Sequence, residues 1–86
     1  MNKPFRVWIR PLGDACRVRV DGTENAMWLL AQLGHVPAFN DCEPIKDDEA
    51  SFRSTFHVPY TSQMPRTALE KMLVAIPQVR LMLEPA

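Results

Sequence analysis

The stretch Phe5-Arg6-Val7-Trp8-Ile9-Arg10 alternates apolar and large polar or aromatic side chains with a period of two. Neighbouring side chains of an extended strand point to opposite faces, so Phe5, Val7 and Ile9 belong to a core and Arg6, Trp8 and Arg10 to the other side. Cys16-Arg17-Val18-Arg19-Val20 repeats the pattern, with Cys16, Val18 and Val20 inward and Arg17 and Arg19 outward. Phe52 to Val58 places Arg53 and His57 on the outer parity, and Val79 to Leu83 places Arg80 there. Six of the seven arginines in the chain therefore share the face of a sheet away from its core; only Arg66 lies elsewhere.

Working outward from these strands, we expect the first at about 4–11 and the second at about 15–21, joined by a short hairpin loop at Leu12-Gly13-Asp14. Asp21-Gly22 turns the chain. Thr23 is the expected N-cap of a helix to about Leu33, with Gly34 closing it. Ala26, Met27, Leu29, Leu30, Ala31 and Leu33 spread over a wide apolar arc, while Trp28 falls among the polar positions Glu24, Asn25 and Gln32. That placement marks Trp28 as an interface candidate outside the main core. A third strand is expected at about 51–58, stopped by Pro59. The second helix is then capped by Thr61 or Ser62, with Pro65 in its first turn. Its apolar stripe is Ala68, Leu69, Met72, Leu73, Ala75 and Ile76. Pro77 ends it before a last strand at about 78–84.

The expected fold class is α+β: a two-layer sandwich with a four-stranded mixed sheet and two helices on one face, in the order β-β-α-β-α-β. The third and fourth strands, linked through a helix, should run parallel. Residues 1–86 should form one small domain, since 86 residues suit a single core of modest stability. The segment 35–50 is long for a structureless connection. It either hides a short strand near Val36–Phe39 or has a role of its own. In outline the layout resembles ferredoxin-like folds, RNA-recognition domains among them. Their order is βαββαβ, however, and the aromatic-glycine signature of the RNA-binding strands is absent.

Composition is that of an ordinary globular chain, 47% hydrophobic and 23% charged, with a formal net charge of zero. Zero net charge disfavours general nucleic-acid binding, which draws on excess positive charge. The charge is nevertheless segregated. Asp41, Glu43, Asp47, Asp48 and Glu49 gather in one loop while the arginines sit in strands, so local fields are large. No apolar leader or membrane-length run is present, and a cytoplasmic location with Cys16 and Cys42 as reduced thiols is expected.

Motifs for catalysis are missing. There is no nucleophile elbow, phosphate-cradling glycine loop or dinucleotide fingerprint, and His57 beside Arg53 is the sole arrangement suggesting a general base. Cys16, His35, Cys42 and His57 lack the close spacing of structural zinc ligands, and the acidic loop lacks the spaced acids and glycine of a calcium loop. Neither a metal nor a cofactor is expected, and no catalytic residue is assigned.

The candidate binding residues are Arg6, Trp8, Arg10, Arg17, Arg19, Arg53, His57 and Arg80. Guanidinium groups around an indole suit planar or anionic partners, with Trp8 expected to stack against Arg17 or Arg19, and Trp and Arg are the usual anchors of protein interfaces. Like charges on adjacent strands repel, and only Asp21 and Glu84 share the outer parity, so further compensation is required. The chain's own acidic loop, the loop of a second copy in a homodimer, or an external acidic partner would each supply it. The expected function is thus a non-enzymatic interaction module, self-associating or binding an acidic protein segment. Single-stranded nucleic acid or another polyanion is the alternative on the same face, with Trp8 stacking, and a small anionic ligand beside the 35–50 loop is a third reading.

Overall fold

The computed structural model describes residues 3–47 and 52–84. Asp48, Glu49 and the expected start of the third strand lie outside the described residues. The chain forms β1 (Phe5–Leu12), β2 (Ala15–Asp21), α1 (Thr23–Gln32), a 3₁₀ turn (Pro37–Phe39), β3 (Ile45–Lys46), β4 (Arg53–Pro59), α2 (Arg66–Val74) and β5 (Val79–Leu83). It is a small α+β structure with one mixed five-stranded sheet in the order β3-β4-β2-β1-β5.

The hairpin β1–β2 pairs Leu12 with Ala15 across a two-residue turn, in which Gly13 adopts φ 61°. A residue without a Cβ suits that position, and the tight turn matches the twist of the strands it joins. β4 pairs antiparallel with β2, and β5 pairs parallel with β1. The strands flanking α2 do run in the same direction, as expected. They are not neighbours, however, because β2 and β1 stand between them.

The fifth strand corrects the expected count of four. β3 is a two-residue strand that pairs Ile45 with Thr55 and Lys46 with Ser54. It occupies the long connection, as one reading of 35–50 required, but lies beyond Val36–Phe39. That earlier stretch instead makes the 3₁₀ turn, with Pro37 at its start and Phe39 buried. Two residues are too few to show a period in sequence, which is why the strand escaped notice.

The core has one apolar layer. Phe5, Val7 and Ile9 of β1, Cys16, Val18 and Val20 of β2, and Phe56 and Val58 of β4 meet Ala26, Leu29 and Leu33 from the first helical segment and Leu69 and Leu73 from α2. The half-buried Ala68 and Met72 of α2, and Ile76 just beyond it, border this core, whereas Ala75 at the helix C-cap is exposed.

The helix caps differ from expectation. Gly22, with φ 99°, occupies the N-cap position of α1, and Thr23 makes no capping bond. Its hydroxyl instead hydrogen-bonds the Ser54 hydroxyl at 2.8 Å. Ser54 is fully buried, and a buried hydroxyl without a partner costs more than an open helix end exposed to water. A Cβ on Gly22 would come within 3.0 Å of Asn25 Nδ2, whose amide donates to Asp21 O at 2.7 Å. Gly34 has no positive φ; Leu33 is the C-cap of α1. Pro65 takes the N-cap position of α2, while Thr61 Oγ1 accepts from Met64 N–H at 2.9 Å in the turn before it.

Trp28 is also drawn further in than its helical position implied. Half-buried, it packs edge-on against Phe5, with ring centroids 5.8 Å apart at 88°. Phe5 lies at the start of β1, where the core ends, so an aromatic on the flank of α1 can close that end.

Candidate functional site

All eight candidate residues are on the sheet face opposite the helices, and strand register arranges them in three rows. Arg80 lies beside Arg6, and Asp21 beside Arg53. The next row runs Met82, Trp8, Arg19, Thr55, Ile45 across all five strands. The third runs Arg10, Arg17, His57. Parity alone predicted the shared face. The rows depend on register, which pairing and turn geometry decide.

Carboxylates meet three of these arginines. Arg6 Nη2 lies 3.1 Å from Asp21 Oδ2 in an exposed pair. Arg17 Nη2 donates to Glu84 Oε2 at 2.8 Å, and Arg19 Nη1 reaches the same oxygen at 3.5 Å. Arg19 Nε also lies 2.9 Å from Asp47 Oδ2. Thr55 bridges this corner: its hydroxyl donates to Asp47 Oδ1 and accepts from Arg19 Nε. The Glu84 side chain is only 13% exposed and that of Arg17 22%, so their pairing is shielded from solvent. The Glu84 backbone N–H donates to Ile9 O at 2.9 Å, which holds its carboxylate over the third row.

The array is therefore compensated in part by its own chain. Asp47 belongs to the acidic loop, and it reaches Arg19 in the same molecule, so no second copy is needed for that contact. Arg10 is different. It stands beside Arg17, and no carboxylate pairs with it among the described residues. Arg80 donates from Nη1 to Pro77 O at 2.8 Å, leaving its charge without a carboxylate among the described residues.

Trp8 stacks with different arginines from those expected. Arg53 Cζ lies 4.4 Å from the indole centroid and Arg6 Cζ 5.3 Å. Arg17 and Arg19, the sequence-based candidates, are turned toward Glu84 and Asp47. Ion pairing with the more buried carboxylates draws Arg17 and Arg19 away from the ring, whereas Arg6 reaches it while paired with the more exposed Asp21.

Between the loop and the sheet lies an open cleft of about 680 Å³. Its floor is Arg17, Arg19, Thr55 and His57, and its outer wall is Asp41, Cys42, Glu43 and the strand β3 with Asp47. The Cys42 thiol donates to His57 O at 3.2 Å and so ties the wall to the floor. Burial pushes the Cys42 thiol pKa up, and Asp41 adds to the effect, so the thiol is the favoured form. Burial likewise raises Cys16, which faces the core on the opposite side of the sheet. Among the described residues no three His, Cys, Asp or Glu side chains converge on a position for a metal ion. Nor is any helix of the described residues long and apolar enough to cross a membrane.

Sequence reasoning missed Thr55, Ile45 and Met82 as members of this face, whereas the acidic loop it offered as one source of compensation does supply Asp47 to Arg19. Thr55 and Met82 share parity with Arg53 and Arg80, so that signal was present. Ile45 and Asp47 join the face only through β3.

Fold and face together describe an α+β domain with helices on one side of its sheet and a basic, indole-centred surface on the other. No family model, curated protein or solved structure matches the chain.

Proposed function

We propose that this protein is a non-enzymatic interaction module whose outer sheet face docks an acidic segment of a protein partner. The observation that carries this reading is the behaviour of the chain's own acids. Asp21, Glu84 and Asp47 each seat a carboxylate on an arginine of the face, while Arg10 and Arg80 have no carboxylate among the described residues. A partner's carboxylates complete the pattern that these three begin. Arg6, Trp8, Arg17, Arg19, Arg53 and His57 form the surrounding surface, with the Trp8 indole at its centre against Arg6 and Arg53. The reading includes a cytoplasmic setting, in which both cysteines remain thiols.

Single-stranded nucleic acid is the weaker reading. Base stacking needs an open indole face, and Arg6 and Arg53 both lie against Trp8. A Trp28→Phe background isolates Trp8 fluorescence for the test. Titration with a glutamate-rich peptide should change the Trp8 emission, with an affinity that falls as salt rises. An oligothymidylate of equal charge should bind more weakly. No response to the peptide, or tighter binding of the oligothymidylate, overturns the proposal.

A further inference from the structure

The two edges of the sheet are not equivalent. One ends in β3, two residues long and followed by Asp47, a short and charged edge of the kind that discourages further pairing. The other is β5, five residues long, whose only neighbour among the described residues is β1.

In a parallel pair, alternate residues direct both backbone groups toward the neighbouring strand. Gln78 O accepts from Phe5 N–H, and Glu84 N–H donates to Ile9 O, so the even-numbered residues of this segment face β1. Leu81 and Leu83 therefore turn N–H and C=O outward, beyond the last strand. Their side chains are apolar and on the core parity, and Leu83 is 63% exposed. Between them Met82 stands on the outer face, 36% exposed.

We propose that a second copy of this chain occupies that edge, with the two β5 strands antiparallel about a two-fold axis at Met82. This register pairs Leu81 with the partner's Leu83 and Leu83 with the partner's Leu81. Each pair exchanges two N–H···O bonds, so every outward N–H and C=O of Leu81 and Leu83 gains a partner. Centring the axis on Leu81 instead would place Leu83 opposite Val79, whose N–H is already given to Ile76 O. One carbonyl per strand would then lack a donor. Centring it on Arg80 would oppose like charges. The Met82 register also sets Arg80 opposite the partner's Glu84, an attractive pair on the outer face. Leu83 becomes covered on the core side. The result is one continuous sheet in which two arginine faces lie side by side.

The register has a specific signature. Met82 faces the partner's Met82 as a non-hydrogen-bonded pair, the closest cross-strand approach of an antiparallel ladder and one compatible with a disulfide. In a Cys42→Ser background, Met82→Cys should form a disulfide-linked dimer on mild oxidation. Leu83→Cys, opposite Leu81 rather than itself, should cross-link at least about tenfold more slowly. Light scattering should give a dimer mass for the native chain. Met82→Lys, which sets two ammonium groups face to face, should weaken the dimer about tenfold or more while circular dichroism stays native. A native chain that is monomeric at all accessible concentrations refutes the proposal, as does equal cross-linking of the two cysteine variants. Neither outcome bears on peptide binding by the outer face.

Discussion

Glu84 is the side chain on which two arginines converge, and Glu84→Gln isolates its charge with little change of shape. Its Oε2 accepts from Arg17 at 2.8 Å and from Arg19 at 3.5 Å in a setting mostly screened from water. At an effective dielectric constant of about 20, a pair of charges about 4 Å apart is worth roughly 4 kcal/mol before desolvation and side-chain ordering are subtracted. Charge-assisted hydrogen bonds contribute about 1.5–3 kcal/mol net, and neutral ones about half of that. An amide at this position keeps an acceptor for Arg17 but loses the charge. The expected destabilisation is about 1.5 kcal/mol, lowering Tm by roughly 8 °C for a chain of this size. Urea unfolding monitored by circular dichroism measures it directly. Binding should move the other way. With Arg17 and Arg19 released, affinity for a glutamate-rich peptide should rise about threefold to tenfold at low salt. A Gln variant within about 0.5 kcal/mol of the native chain would refute the view that this carboxylate organises the face. Lower stability accompanied by weaker peptide binding would refute the competition between internal and external acids.

Asp47→Asn should cost at most about 1 kcal/mol, because its pair with Arg19 is partly solvated; amide exchange at Ile45 and Lys46 should accelerate as β3 loosens. Tyr60 offers a pH test. Burial, reinforced by Cys16, raises its phenol to about 12, above the ordinary value of 10. Its neutral form is favoured by the fold, so this contribution is fully present below pH 10 and lost as pH rises toward 12. Tyr60→Phe should flatten that alkaline decline in urea titrations, and a decline of unchanged steepness would assign it to other groups. Trp28→Ala should lower stability by about 2 kcal/mol through lost contact with Phe5; a change in solution mass without that loss would make Trp28 an interface residue instead. Gly22→Ala should cost about 1–2 kcal/mol in thermal unfolding, since its φ of 99° and the nearby Asn25 amide both disfavour a side chain.

The parity of Phe5 to Arg10 and of Cys16 to Val20 was enough to place the core face and the arginine face, because alternation is a property of any extended chain. The long periodic helices and the Gly13 hairpin were legible for similarly local reasons. Apolar spacing and a residue able to adopt φ 61° act within a few positions of the chain. Thr23 shows where local signals fail. Its sequence context suits an N-cap, but its hydroxyl satisfies the buried Ser54, a demand created by a strand more than 30 residues away in the chain. β3 was invisible because two residues carry no period; it exists through pairing with β4.

The same division runs through the candidate site. Sequence by itself determined that six arginines and Trp8 would meet on one surface, with Asp21 and Glu84 as their nearest acids by parity. Only the tertiary structure decided which charges are met. Strand order brings the C-terminal Glu84 to Arg17 and Arg19, and β3 carries Asp47 to Arg19, leaving Arg6 and Arg53 to lie against Trp8. Parity is a single-strand property that backbone geometry imposes at every residue. Ion pairing depends on distances between residues far apart in the chain, and those distances follow from strand order and register alone.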